Sequence, residues 1–146
     1  MDSMMRVNYG AVLAGMGVNI VLGFLWYGPL FGKAWAGEMG FPEDMKPEPK
    51  VMRRAMVLMA AGAFLMNFVL AHSVKTWDPS VMNFLEGSTS VSDGVYAAFF
   101  AWLGFIVPLL FGDVSWENKS WKLFGINAAY YFVSLQAAGM ILAYWR

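Results

Sequence analysis

The chain has 146 residues, 59% of them hydrophobic and only 14% charged, with a mean hydropathy of +0.51. Soluble domains carry about 25% charged residues, so a chain this short and this apolar needs lipid over much of its surface. Its formal net charge is zero, which gives no warrant for a nucleic-acid partner, and the lack of cysteine excludes disulfides, thiolate metal sites and cysteine nucleophiles.

From Tyr9 to Gly32 there is no charged side chain. At 1.5 Å per residue, about 20 apolar residues cross a bilayer core as a helix. The run ends in Trp26, Tyr27 and Trp35, with Lys33 as the first charge, the order favoured at a membrane–water interface. It is too long for the core of a secretory signal, and no small-x-small site precedes Trp26-Tyr27. It is read as a retained first span, residues 9–31. Ala11, Gly15, Asn19, Gly23 and Tyr27 recur every four residues and share one side of that helix. Small residues at this spacing let another helix approach closely, and an amide can bond across the contact. A solute or ion site around Asn19 is the rival reading.

The first loop divides in two. Residues 33–40 (KAWAGEMG) suit a short interfacial helix. Residues 41–50 (FPEDMKPEPK) hold three prolines and will not continue it. The second span is expected over 55–74, with Met52 opening its helix. Met52, Met56, Met59 and Met66 form a row along it. Thioethers bind Cu(I) and also fill irregular apolar gaps. No His or Cys joins the row, so gap filling is preferred. Asn67 lies about 60° off the row at 100° per residue. His72, the only histidine, is about 140° further round, so the two do not pair on one helix. His72 is able to titrate near neutral pH and relay a proton; the plainer reading is a ring at the headgroup level.

The second loop, 75–93, offers Asp78-Pro79 as a helix start and a capping-rich stretch from Ser88 to Gly94. The third span is expected over 95–112, with Pro108 near its end, and the fourth over 123–145, containing Asn127, Ser134 and Gln136. Nine residues at 100° put Asn127 and Gln136 on opposite faces. An amide facing lipid lacks partners, so one face is expected to meet a second copy of the chain, giving a homo-oligomer, a dimer or trimer.

The fold class is therefore all-α: a polytopic integral membrane protein whose four transmembrane helices form one bundle, with residues 1–146 as a single membrane domain. Transmembrane strands would alternate polar with apolar, and these runs do not. Pro29-Leu30-Phe31-Gly32 with Trp35 is echoed by Pro108 to Gly112 with Trp116. Duplication of a helical hairpin and plain recurrence of interfacial residues both account for it. Loops one and three hold seven cations (Lys33, Lys46, Lys50, Arg53, Arg54, Lys119, Lys122) against three elsewhere (Arg6, Lys75, Arg146). The cation-rich side is normally cytoplasmic, so both termini are expected outside, in a bacterial cytoplasmic membrane. Lys33, Arg53, Arg54, Lys119 and Lys122 suit contacts with anionic headgroups, although topology alone explains them. Glu38, Glu43, Asp44, Glu48, Asp113 and Glu117 are assigned to polar loops, with no carboxylate inside a span. No Walker loop, HExxH or GxSxG occurs. An enzyme is not expected, and neither a metal nor a cofactor is indicated.

Three stretches carry a resemblance to a family. They are Trp26-Tyr27-Gly28-Pro29-Leu30-Phe31-Gly32-Lys33-Ala34-Trp35 with Met39-Gly40; Trp102-Leu103-Gly104-Phe105 with Pro108; and Trp121-Lys122-Leu123-Phe124 with Ile126-Asn127. In these the chain resembles the membrane proteins of the domain of unknown function 1761 family, over nearly its whole length. Its outer loop, Thr76 to Ser92, is longer than the family pattern. The resemblance implies four spans and supplies no activity. Two functions are then expected: a small homo-oligomeric transporter or channel-like protein for a small solute, passing Asn19, Asn67, His72, Asn127 or Gln136, or a non-transporting component that binds membrane lipid or a partner at its Trp/Lys-rich rim.

Overall fold

The computed structural model describes residues 6–77 and 90–145; Asp78-Pro79, Ser88 and Arg146 lie outside the described residues. The chain runs α1 (Tyr9–Leu25), a π-helical turn π1 (Trp26–Leu30), α2 (Gly32–Glu38), α3 (Pro49–Thr76), α4 (Ser90–Ala101), a second π-helical turn π2 (Trp102–Ile106), α5 (Val107–Ser115) and α6 (Trp121–Tyr144). No strand occurs among the described residues. Four helices are long and apolar enough to cross a membrane: Tyr9–Leu30, Pro49–Thr76, Val91–Ser115 and Trp121–Tyr144.

Local chemistry sets the helix ends. Asn8 caps α1, its side-chain oxygen accepting from the N–H groups of Gly10 and Ala11 at 2.9 and 3.3 Å. Its amide nitrogen donates to the Trp145 carbonyl at 2.8 Å, which ties the two ends of the chain together. Ser120 caps α6 by accepting from the Leu123 N–H at 3.0 Å. The second span starts earlier than the proline-rich stretch suggests. Pro49 occupies the first turn of α3, where its missing N–H costs nothing and its fixed φ suits a helix.

Prolines also account for the two irregular turns. Pro29 lies inside π1 and has no N–H to give the preceding turn. The chain widens there, and the Phe31 N–H reaches back five residues to the Trp26 carbonyl at 2.7 Å. Pro108 stands just past π2, at the start of α5. Both π turns begin at a tryptophan and carry a glycine two residues on: Trp26 and Gly28, Trp102 and Gly104.

α6 is the axis of the bundle. It touches α1, α3, α4 and α5, and 44% of its spanning window is buried, against 17% for α3. The apolar core gathers in the half of the bundle that carries the chain ends, around Ala11, Val12, Val74, Ala98, Ala138 and Ala143. α4 and α6 approach with their backbones in contact. A methyl group on Gly94 would collide with the Gly139 carbonyl oxygen, and one on Gly139 with that of Gly94. Such backbone contact is the geometry small residues permit in lipid. At the other end the first half of α3 leaves the bundle. Met52, Met56, Val57, Leu58 and Met59 are all exposed, so the methionine row there fills no core gap. Met66 does pack against the core.

Two carboxylates fall within the third span's helices rather than in loops. Asp93 is buried in the first turn of α4, where helix N–H groups favour a negative charge. Asp113 is in the last turns of α5.

Gly94→Ala and Gly139→Ala are each expected to destabilise the protein by about 1–3 kcal/mol, the usual cost of forcing volume into a packed contact. Gly17→Ala, where an added methyl meets open space, should change little. Thermal unfolding in mild detergent checks both; equal midpoints for all three variants would contradict the close crossing.

Candidate functional site

Two places stand out, a cluster of buried polar side chains and a groove at one end of the bundle. The first is a joint in mid-bundle. Asn19 of α1 donates through Nδ2 to the Ser134 carbonyl at 2.9 Å and to Ser134 Oγ at 2.6 Å. Its Oδ1 accepts from Asn67 Nδ2 at 2.5 Å, and the same nitrogen reaches the Ala63 carbonyl at 2.8 Å. Tyr130 donates its hydroxyl to the Asn19 carbonyl at 3.3 Å. Asn19, Asn67 and Ser134 are 2%, 0% and 0% exposed, so the joint is sealed from water. Asn67 Oδ1 has no hydrogen-bond partner and occupies the space a side chain on Gly15 would need. The small-residue stripe of α1 thus faces inward as a packing groove: Ala11, Gly15, Asn19 and Gly23 are all buried.

The remaining amides and the histidine do not join this network. Tyr27 donates its hydroxyl to Asn127 Oδ1 at 2.8 Å, joining π1 to α6. Gln136 Nε2 lies 3.4 Å from the Val95 carbonyl of α4. The two amides do occupy opposite faces of α6, and each finds its partner within one protomer, because α6 lies between the first and third spans. His72 Nδ1 lies 2.8 Å from the Phe68 carbonyl one turn back, and its ring meets the Phe68 ring edge-on at 4.7 Å.

The two tryptophans that open the π turns bond to one element, which the sequence does not reveal. The Trp26 indole N–H donates to the Ile126 carbonyl at 3.1 Å, and that of Trp102 to the Ala128 carbonyl at 2.8 Å. Both therefore clamp α6 within one turn. The only signal in the sequence is that an indole N–H inside lipid must find an acceptor.

The second place is a groove of about 920 Å³ at the end of the bundle that carries loops one and three. Its walls come from π1 (Tyr27, Gly28), α2 (Gly32, Lys33, Trp35, Ala36, Gly37), the loop that follows (Phe41 to Met45, Pro47) and Val51 of α3. The groove exists because α3 diverges here from its neighbours. α2 is held against α6 by Glu38, which accepts from the Ser120 hydroxyl and pairs with Lys122 at 3.4 Å. These contacts hold the Glu38 carboxyl below its ordinary range, the Ser120 hydrogen bond first and Lys122 second.

Of the basic residues expected at headgroups, Lys33 lines the groove and Lys122 serves the Glu38 pair. Arg53 and Arg54 are exposed on the first turns of α3, and Lys119 is half-buried in the turn before α6. Among the family-motif residues, Phe105 and Pro108 are exposed on the lipid-facing side of the third span, beside Gly104.

The sequence profile of a family described as protein of unknown function (DUF1761) matches residues 10–143. No curated protein and no solved structure matches the chain.

Gly15→Ala is expected to displace Asn67 and open the joint. Asn67→Leu removes two hydrogen bonds, at roughly 0.6–2 kcal/mol each in a membrane. Both should lower the unfolding midpoint in detergent. The double variant should lose less than the sum of the two, because each breaks the same contact; strict additivity would show that Gly15 and Asn67 act apart.

Proposed function

Because the chain belongs to this family of unknown function, whose description carries no activity, we propose from its own geometry that it is a non-transporting membrane component that holds a phospholipid at its loop-one rim. The observation that carries this reading is the groove between π1, α2 and α3. One end of it holds Lys33 and the aromatic rings that favour an interface. The other opens onto the apolar flank of α3 at Val51, which is 56% exposed. A ligand with a polar head and an alkyl tail matches both ends.

Transport draws less support. A solute path needs polar groups open to water along the bundle, and the Asn19–Asn67–Ser134 joint is closed and given over to holding three helices together. We also place loops one and three in the cytoplasm, on the seven-to-three excess of cations. That puts the groove at the inner leaflet. Single cysteines introduced at Lys46 and Lys119 should then resist an impermeant reagent added outside intact cells. Labelling of both from outside would invert the orientation.

The lipid-holding reading predicts that protein purified in mild detergent retains phospholipid through native mass spectrometry. Gly37→Trp projects into open space beside the groove, and Val51→Trp narrows the facing wall. Each should strip the retained lipid while leaving the unfolding midpoint within error. Retention unchanged in both variants would refute the groove as the lipid site.

A further inference from the structure

The charges and rings around this groove fit one class of headgroup, an inference that rests on the lipid-holding reading and specifies it. Tyr27, Trp35 and Phe41 make a continuous aromatic wall. The Tyr27 and Trp35 centroids are 5.8 Å apart with the rings nearly perpendicular, and those of Trp35 and Phe41 are 5.6 Å apart. The end of α2 builds this wall. Gly40 takes a left-handed φ of 74°, its N–H reaches the Gly37 carbonyl, and the Phe41 N–H reaches the Ala36 carbonyl at 2.9 Å. This paired closure turns the chain back and lays Phe41 against Trp35. The next residues form a tight turn, closed by the Met45 N–H on the Pro42 carbonyl at 3.1 Å. Glu43 and Asp44 are its central residues, and both line the groove. Lys33 lines it too. None of these three charges enters an ion pair among the described residues.

Two unpaired carboxylates beside aromatic faces attract an ammonium group. The rings do so through their quadrupole, and the carboxylates through a Coulomb term that grows as water is displaced. The unpaired Lys33 offers a point charge to a phosphate. A headgroup that is anionic throughout would satisfy Lys33 but set negative charge beside Glu43 and Asp44. A headgroup with both charges satisfies all three. We propose that the groove selects a zwitterionic phospholipid whose headgroup ends in an ammonium, of the phosphatidylethanolamine type. Its amine lies among Trp35, Phe41, Glu43 and Asp44, its phosphate meets Lys33, and its acyl chains lie along the exposed flank of α3.

The test uses full-length protein, delipidated in detergent and titrated by native mass spectrometry with phosphatidylethanolamine or phosphatidylglycerol of identical acyl chains. Phosphatidylethanolamine should bind at least about fivefold more tightly, the scale of one cation–π contact. Glu43→Gln with Asp44→Asn should abolish that preference, as should Trp35→Leu. Lys33→Met should weaken both lipids. All four positions are at the rim, and unchanged unfolding midpoints will separate lost recognition from lost folding. Equal binding of both lipids, still blocked by Gly37→Trp, would overturn the headgroup assignment and leave the groove as a lipid site. Preference for phosphatidylglycerol, or a preference for phosphatidylethanolamine that survives the carboxylate and Trp35 variants, would also overturn it. Binding indifferent to Gly37→Trp would remove the groove reading itself.

Discussion

Lipid offers no hydrogen bond, and the structure depends on that fact more than on any other. A polar group placed between the two interfaces has only the protein itself from which to draw a partner. α6 supplies most of those partners. Its Ser134 takes Asn19, its Asn127 takes Tyr27, and its carbonyls at Ile126 and Ala128 take the two indoles. Packing by dispersion alone would leave the rotation of each helix loosely set. Directed bonds to one central element fix the rotation of the first and third spans about it. Asn67 fixes the second through Asn19.

This arrangement divides the molecule into unequal halves. Near the chain ends, small residues let the helices close on one another, and the Gly94–Gly139 crossing brings backbones into contact. Toward loops one and three the bundle opens, and α3 is exposed from Val51 to Met59. α3 diverges there: among the described residues its side chains make no hydrogen bond to another helix before Asn67. The groove follows from this opening of the bundle beside α3. So does the location of the charges, which gather where the bundle is already open.

Much of this was legible in the sequence because it follows from periodicity and solubility. The four spans came from uncharged length, and the observed helices extend them by a few residues at most ends. The inward stripe of α1 came from a four-residue spacing, and the structure buries it from Ala11 to Gly23. The short helix before Gly40 came from composition and is observed as Gly32–Glu38. What was not legible depends on how helices rotate and cross. Asn127 and Gln136 occupy opposite faces, as an advance of 100° per residue requires, but nothing along one chain reveals that α6 has a neighbour on each side. Asp93 reads as a loop residue, yet a helix N-terminus provides N–H groups that let a carboxylate be buried. The groove was invisible because Tyr27, Trp35, Phe41 and Val51 are brought together by the closure at Gly40 and the divergence of α3, neither of which is a periodic signal.

The π turn at Trp26–Leu30 makes one residue of the first span surplus to a regular helix. A regular helix advances 100° per residue, so an extra residue held within a turn resets the angular phase of everything that follows it. The helix then breaks at Phe31 (φ −121°, ψ 6°), so α2, with Lys33 and Trp35, takes its direction from that break, while Asn19 upstream keeps the phase of α1. The stretch that grips α6 and the stretch that furnishes the rim are thereby oriented independently of one another.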